Sequence, residues 1–187
     1  MDKDRILEIA EESINQIVIH NSEWLPVLDQ DWLQPKRGVF TTLYSNQPNK
    51  TLRGCIGIPM PIHPVGHAIA ISARKSATQD PRFPRVIQDE LDQISLSVEI
   101  LSEIEPIEYE SISDLHGEII LGETGLLVEY QNYSALFLPR VPTEQNWDKD
   151  QYLAHLCKKA YIPPSFIGDK PLKFSKFTTE FFEQNEN

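Results

Sequence analysis

The chain has 187 residues, of which 40% are hydrophobic, and its formal net charge at pH 7 is −11. This length and apolar content are enough for one domain or two small subdomains with a buried core. The negative charge disfavours broad binding to nucleic-acid backbones and anionic membranes, because the long-range field opposes their approach.

The cysteine content and the apolar segments favour a cytoplasmic protein. The two cysteines are far apart in the sequence and give no disulfide framework. No apolar segment resembles a signal peptide, and none is long enough to span a membrane. We therefore expect a reducing cytoplasmic location and no membrane partner.

The N-terminal part, residues 1–37, predicts one helix followed by an irregular loop. Apolar residues recur at helical spacing over residues 4–20, which predicts an amphipathic helix. Residues 21–36 lack periodicity and carry Trp24 and Trp32, which indicates a loop that tucks aromatic side chains against the body.

Residues of about 38–101 predict the order strand, strand, helix, strand. Val39–Tyr44 and Leu52–Ile58 flank a turn-rich stretch and should form a hairpin. A helix is expected over 64–78, beginning at a proline and stopping before Asp80. Ile94–Leu101 alternates apolar and polar residues, which predicts one buried and one polar face in an antiparallel sheet.

Residues of about 118–181 repeat this order. Leu126–Tyr130 and Tyr133–Leu138 predict a second hairpin, Asp148–Ala160 predicts a helix, and a final strand is expected within Leu172–Phe181. The chain is therefore expected to be α+β, with an antiparallel or mixed sheet and flanking helices. The repeated order predicts two duplicated β-β-α-β units that form subdomains with a shared cleft.

The most chemically suggestive stretch is Leu52–Ile58, which reads Leu-Arg-Gly-Cys-Ile-Gly-Ile. Gly54 and Gly57 remove side chains at points where backbone or a ligand must approach closely. Arg53 lies two residues before Cys55 and is expected on the same face of a strand, where its guanidinium would favour the nucleophilic thiolate. The alternative is that Cys55 is a small buried hydrophobe.

A basic segment, residues 74–85, carries four cations and one acid within this acidic chain. Its prolines make a stiff loop around Asp80 and Phe83 that can hold charges in place. Four arginines are expected to converge near Cys55 and bind an anion: Arg53, Arg74, Arg82 and Arg85. The alternatives are a solvated charged face, Asp80 as a local cap or ion-pair partner, and Phe83 as a core plug.

No metal or other cofactor is expected. His63 and His67 have a spacing that suits a metal on a helix, with Cys55 as a third ligand, but His63 precedes a proline and should lie outside the helix. The sequence has no phosphate-binding glycine loop, Ser-His-Asp signature or dinucleotide-binding fingerprint.

These motifs resemble the AMMECR domain family, named after the Alport syndrome, midface hypoplasia and elliptocytosis chromosomal region. The matching motifs occur in the expected order between about Gly38 and Glu180: Leu52–Gly57, Asp80-Pro81-Arg82-Phe83, Leu138-Pro139, Trp147 and Leu156-Cys157-Lys158-Lys159-Ala160. The resemblance implies a single AMMECR-type domain over 1–187, in a family whose activity is not established. The family often has a glycine where this chain has Tyr161, which leaves the end of that helix open.

Two functional hypotheses follow. In the first, Cys55 is a nucleophile or covalent carrier assisted by Arg53 and Asp80, and Arg82 or Arg85 holds an anionic substrate group. Prokaryotic proteins similar to this one often accompany Memo-type and radical-SAM proteins, which suggests a step in a modification pathway. In the second, the protein is a non-catalytic binding module for a small anion, nucleotide, RNA or protein partner, and Cys55 only packs. Both share a set of expected binding residues: Gly54, Gly57, Arg74, Arg82 and Arg85.

Overall fold

A computed structural model describes residues 1–46, 49–168 and 171–184 of the chain. Within these ranges there are five α-helices and eight strands. The helices are α1 (Lys3–Ile19), α2 (Val65–Thr78), α3 (Ile112–Gly117), α4 (Val141–Glu144) and α5 (Lys149–Lys159). The strands are β1 (Val39–Ser45), β2 (Thr51–Ile58), β3 (Ile94–Leu101), β4 (Glu105–Ile107), β5 (Gly125–Tyr130), β6 (Tyr133–Phe137), β7 (Lys173–Phe177) and β8 (Thr179–Glu183).

The strands form two four-stranded sheets, and the chain divides into two compact units. Unit 1 comprises Met1–Leu101 and Glu180–Asn187, and unit 2 comprises Ser102–Thr179. Helices flank both sheets, which confirms the predicted α+β class.

Unit 1 has the strand order β2-β1-β3-β8, with β1 antiparallel to both β2 and β3. Its core joins the apolar faces of α1 and α2 to one face of this sheet, with Ile9, Ile69 and Leu43 fully buried. Trp24 and Trp32 pack against this core, as the sequence predicts for the aromatic side chains of this loop. β2 is consequently an edge strand, with β1 on one side only.

Unit 2 has the strand order β4-β7-β5-β6, with β5 antiparallel to β6 and β7. α5 begins where the sequence predicts, because the Asp148 carboxylate accepts the N–H of Gln151, whose side chain in turn accepts the N–H of Asp148. Tyr152 and Leu156 of this helix are fully buried in the unit 2 core.

The same order of elements surrounds the first strand of each hairpin. In unit 1 the β1–β2 hairpin is followed by α2 and then by β3, which pairs with β1. In unit 2 the β5–β6 hairpin is followed by the short helix α4, by α5 and then by β7, which pairs with β5. This is the β-β-α-β order that the sequence predicts, while the duplication and a shared cleft stay predictions.

Two parts of the chain differ from the sequence-based expectation. The sequence predicts one final strand, whereas β7 and β8 are separate and join different sheets. The break falls at Thr178, whose N–H and carbonyl oxygen both bond to Ser102. The polar face of β3 is also not solvent-facing, since Ser97 and Glu99 are 2% and 5% exposed.

Helix α5 ends in a Schellman motif that has tyrosine where glycine is usual. The N–H of Ile162 donates to the carbonyl oxygen of Cys157 at 2.9 Å, and the N–H of Tyr161 donates to that of Lys158 at 3.0 Å. Tyr161 has a φ of +59° and is 86% exposed. This left-handed conformation is strained for a residue that carries a Cβ.

We expect Tyr161→Gly to raise the free energy of unfolding by about 0.5–1 kcal/mol, because glycine adopts the left-handed conformation without a steric penalty. The gain is smaller than the full strain because glycine also makes the unfolded chain more flexible. Urea unfolding measures the difference. Tyr161→Ala is the matched control, since it removes the phenol but keeps the Cβ, and an equal stabilisation by alanine would contradict the explanation.

Candidate functional site

Cys55 lies on β2, directly opposite Thr42 of β1. The Thr42 hydroxyl donates a hydrogen bond to the Cys55 sulfur, with Oγ1 and Sγ 3.3 Å apart. Thr42 is buried, whereas Cys55 is only partly buried. A hydroxyl that donates to sulfur stabilises negative charge there, so the thiol has one feature expected of a nucleophile.

A side chain of α2 contacts the ladder position next to Cys55. The Ser76 hydroxyl accepts a hydrogen bond from the N–H of Ile56 at 2.8 Å and donates to the carbonyl oxygen of Thr41 at 2.8 Å. Thr41 and Ile56 are register partners, so one hydroxyl contacts backbone groups of both strands at the same position of the ladder. It ties the end of α2 to both strands and holds the backbone beside Cys55.

The open edge of β2 at Cys55 is covered by the side chains of Asp80 and Arg82. Asp80 Oδ2 accepts the N–H of Cys55 at 2.8 Å, and Arg82 Nη2 donates to the carbonyl oxygen of Cys55 at 3.4 Å. The two side chains therefore bind the backbone donor and acceptor that a further strand would bind. The loop after α2, which the sequence predicts to be stiff, therefore lies next to Cys55.

The Asp80 carboxylate is almost fully buried and accepts four hydrogen bonds. One comes from Cys55, and three come from the backbone N–H, Nε and Nη2 of Arg82, all between 2.7 and 3.0 Å. The Arg82 guanidinium, helped by the backbone donors, holds the pKa of Asp80 well below its usual range despite burial. The same hydrogen bonds raise the pKa of Arg82, with a smaller electrostatic contribution from Cys55. The cation beside Cys55 is thus Arg82, whose side chain is 54% exposed.

Arg53 is directed elsewhere, which corrects the expectation that it lies beside the thiol. The β1–β2 register shifts so that Arg53 is the extra residue of a β-bulge, and the alternation of faces is broken there. Its guanidinium bonds both carboxylate oxygens of Glu90, at 2.9 and 3.0 Å, and the carbonyl oxygen of Pro84 at 2.9 Å. The guanidinium lowers the pKa of Glu90. Arg53 therefore fastens residues 84–90 to β2.

Gly54 and Gly57 do permit close approach, as predicted, and the approaching groups belong to the protein. A Cβ on Gly54 would lie 2.3 Å from the carbonyl oxygen of Ser76. A Cβ on Gly57 would lie 2.2 Å from the ring of Phe40. The space beside Gly54 is occupied by the backbone of α2, and the space beside Gly57 is occupied by a side chain of β1.

The four arginines expected in one cleft divide into two pairs. Arg53 and Arg82 are at β2, as described above. Arg74 Nη2 donates to Glu23 at 3.1 Å, and Arg85 Nη2 donates to the carbonyl oxygen of Ile17 at 2.7 Å. These contacts bring the second pair to the end of α1 and the loop after it, which corrects the expected convergence of all four arginines.

Thr42 and Ser76 are site residues that sequence reasoning did not identify. No motif marks either hydroxyl, and Ser76 lies within a helix pattern, close to its end. The hairpin prediction brings Thr42 near Cys55, but only the register of the two strands places them opposite each other. Knowledge of that register is the signal that would have identified Thr42.

Within residues 1–46, 49–168 and 171–184, no three His, Cys, Asp or Glu side chains are grouped as a metal ion would require. His63 precedes α2 and His67 lies within it. In these same ranges no helix is long and apolar enough to cross a bilayer.

Comparisons with known proteins agree on one family. The AMMECR1 family model matches residues 7–182. Protein MJ0810 from Methanocaldococcus jannaschii is 44% identical over 151 residues, which are 81% of this chain and 75% of the relative. Protein PH0010 from Pyrococcus horikoshii is 40% identical over 182 residues, which are 96% of this chain and 88% of the relative.

A solved structure shows the same fold. The crystal structure of the uncharacterized protein PH0010 from Pyrococcus horikoshii matches with a TM-score of 0.87 and 36% sequence identity in the structural alignment. The match covers 99% of this chain and 94% of that chain. None of these names states an activity, so function has to be argued from the site.

Proposed function

This chain belongs to the AMMECR1 family, and from the geometry at Cys55 we propose that it is a cysteine-dependent enzyme or carrier that acts on a small anionic substrate. The observation that carries the proposal is a partly buried cysteine whose sulfur accepts a hydrogen bond from the buried Thr42 hydroxyl and whose carbonyl oxygen is bound by Arg82. A nucleophilic cysteine needs access, a donor and a nearby cation. The incomplete burial of Cys55, the Thr42 hydroxyl and the Arg82 guanidinium support these three requirements in turn.

In the proposed step, the Cys55 sulfur attacks an electrophilic atom of the substrate. A bond forms between Sγ and that atom, and the bond from that atom to its leaving group breaks. The leaving group takes the electron pair of the broken bond, and the proton of the thiol balances its charge. Thr42 stabilises the thiolate before attack by donating its hydroxyl hydrogen.

Arg82 is the proposed anchor for the anionic part of the substrate. Its contacts with Asp80 and Cys55 use the backbone N–H, Nε and Nη2. Nη1 has no hydrogen-bond partner among the residues that the structure describes, and the side chain is half exposed. A planar guanidinium held rigidly on one side by Asp80 presents its other donors to a carboxylate or phosphate with little further loss of entropy.

Alkylation of the native protein with iodoacetamide tests the proposal. We expect Cys55 to react at least about tenfold faster than Cys157 near neutral pH, because the thiolate is the reactive form and must be accessible. Cys157 is the internal control, since it is fully buried and burial raises its pKa to about 11. If Cys55 does not react with iodoacetamide until the protein is denatured, the enzyme hypothesis is wrong.

Two variants separate chemistry from packing at the same thiol. Thr42→Val keeps the shape of the side chain but removes the donor, and should slow alkylation of Cys55 by about tenfold if the hydrogen bond is made to the thiolate. Cys55→Ser should leave folding nearly unchanged if the thiol is a working nucleophile. A loss of roughly 1–3 kcal/mol in unfolding free energy with Cys55→Ser, together with slow labelling, would favour the binding module in which Cys55 only packs.

A reducing compartment such as the cytoplasm fits this proposal. Both cysteines are free thiols, and a nucleophilic thiol has to stay reduced to work. The association of similar proteins with Memo-type and radical-SAM proteins fits one step of a modification pathway.

A further inference from the structure

A second group of aromatic and cationic side chains lies in unit 2, at the end of β6 and along α5. The Trp147 ring stacks on the His155 ring, with centroids 4.1 Å apart and planes 6° from parallel. Trp147 also meets Phe137 edge-on at 5.5 Å. Lys159 Nζ lies 4.4 Å from the centre of the Phe137 ring and donates to the carbonyl oxygen of Leu136 at 2.8 Å.

The local sequence explains why these groups meet. His155 and Lys159 are four residues apart on α5 and so lie on one face of the helix. Trp147 directly precedes Asp148, the residue that caps this helix. Trp147 and Lys159 belong to the motifs that carry the family resemblance, and the Cys55 site uses neither of them.

The polar members of this group offer N–H groups. The indole of Trp147 and the imidazole of His155 have no hydrogen-bond partner among the described residues, and Lys159 uses one of its three N–H groups. Phe137, Trp147 and His155 are partly buried and Lys159 is exposed, so part of each residue faces solvent. Partial desolvation lowers the pKa of the Lys159 amine, and no carboxylate among the described residues opposes this shift.

We propose that Trp147, His155 and Lys159 form an oxyanion-binding site, which takes a phosphate or carboxylate group in addition to any ligand at Cys55. A cluster of N–H donors is the complement of an oxyanion, since phosphate and carboxylate oxygens only accept hydrogen bonds in their ionised forms. The aromatic rings lower the local polarity, which strengthens hydrogen bonds to the anion. Water competes with an oxyanion for these donors, and a phosphate titration distinguishes anion binding from hydration.

Titration of the ¹⁵N-labelled protein with inorganic phosphate at constant ionic strength tests the site by NMR. We expect saturable shifts of the Trp147 indole N–H signal, identified with Trp147→Phe. Lys159→Met keeps the aliphatic stem and should weaken phosphate binding by about tenfold or more, the size expected for a charge-assisted hydrogen bond. Lys158→Met is the matched control, because it removes the same charge from the adjacent residue of α5, which lacks the contacts of Lys159 with Phe137 and Leu136, and should leave binding unchanged.

A second variant keeps the test decisive if Lys159→Met folds poorly. His155→Phe preserves an aromatic ring against Trp147 but removes the imidazole nitrogens, and should weaken binding while Cys55 alkylation stays unchanged. Shifts of the Trp147 indole signal that saturate with phosphate or with acetate support the site. Shifts that grow linearly without saturation, or an equal effect of Lys158→Met and Lys159→Met, would overturn it in favour of hydration and a general charge effect.

Discussion

Gly54→Ala is expected to lower the free energy of unfolding by about 3 kcal/mol, at the upper end of the usual range for overpacking. The new Cβ would lie 2.3 Å from the carbonyl oxygen of Ser76. Because this oxygen belongs to the backbone of α2, the clash is relieved only by moving the end of the helix away from β2. That movement would also pull the Ser76 hydroxyl from its bonds to Thr41 and Ile56.

Urea unfolding of three alanine variants tests this explanation. Gly57→Ala meets the side-chain ring of Phe40, which can rotate, and should be less destabilising than Gly54→Ala. Gly117→Ala is the control, because nothing lies within 4 Å of its Cβ position and alanine favours the helix by up to about 1 kcal/mol. Equal losses at Gly54 and Gly117 would mean that close packing is not the cause.

The order of helices and strands was predictable because it follows from local patterns. The first helix, both hairpins, α2 and α5 each carry a short-range signal, such as helical spacing or a turn between two apolar runs. Pairings between distant segments have no such signal. The sequence therefore did not reveal β4, three residues long, or the division of its last segment into β7 and β8.

The face on which Cys55 lies depends on a β-bulge that no sequence pattern reveals. Counting back from the turn, where Ser45 pairs with Thr51, an unbroken ladder would put Cys55 opposite Thr41. Thr41 bonds Ser72 of α2 and therefore faces the helices. The extra residue, Arg53, moves Cys55 opposite Thr42 on the other face. One inserted residue thus decides whether the thiol meets the helical core or lies on the opposite face of the sheet, where Cys55 is only partly buried.

Charged side chains were harder to place than the backbone that carries them. The prolines around Asp80 predicted a stiff loop, and this loop does hold its carboxylate at Cys55. Arginine is long enough to reach several neighbours, and its partner is set by tertiary contacts. Arg53 therefore bonds Glu90, 37 residues away, and Arg85 bonds the end of α1, 68 residues away.

Asp80→Asn should lower the free energy of unfolding by about 2–4 kcal/mol at neutral pH, because it leaves buried donors without a charged acceptor. The carboxylate accepts four hydrogen bonds on two oxygens, whereas an amide has one acceptor oxygen and an NH₂ group that would face other donors. Asp92→Asn is the matched control. Asp92 is exposed and has no hydrogen bond or ion pair among the described residues, so its loss should change stability by less than about 0.5 kcal/mol.

The pH dependence of this difference identifies the charge of Asp80 as its cause. The pKa of Asp80 in the folded protein is lowered, chiefly by Arg82, below the value of about 3.9 expected for an unfolded chain. The unfolded state therefore takes up the proton first on acidification, so the stabilisation is complete above about pH 5 and declines as the pH falls below about 4. The difference in unfolding free energy between wild type and Asp80→Asn, measured by urea unfolding, should depend on pH in the same way. If this free-energy difference stays constant down to pH values near 3, Asp80 acts through shape alone. Arg82 would then not be held beside Cys55 by the charge of Asp80.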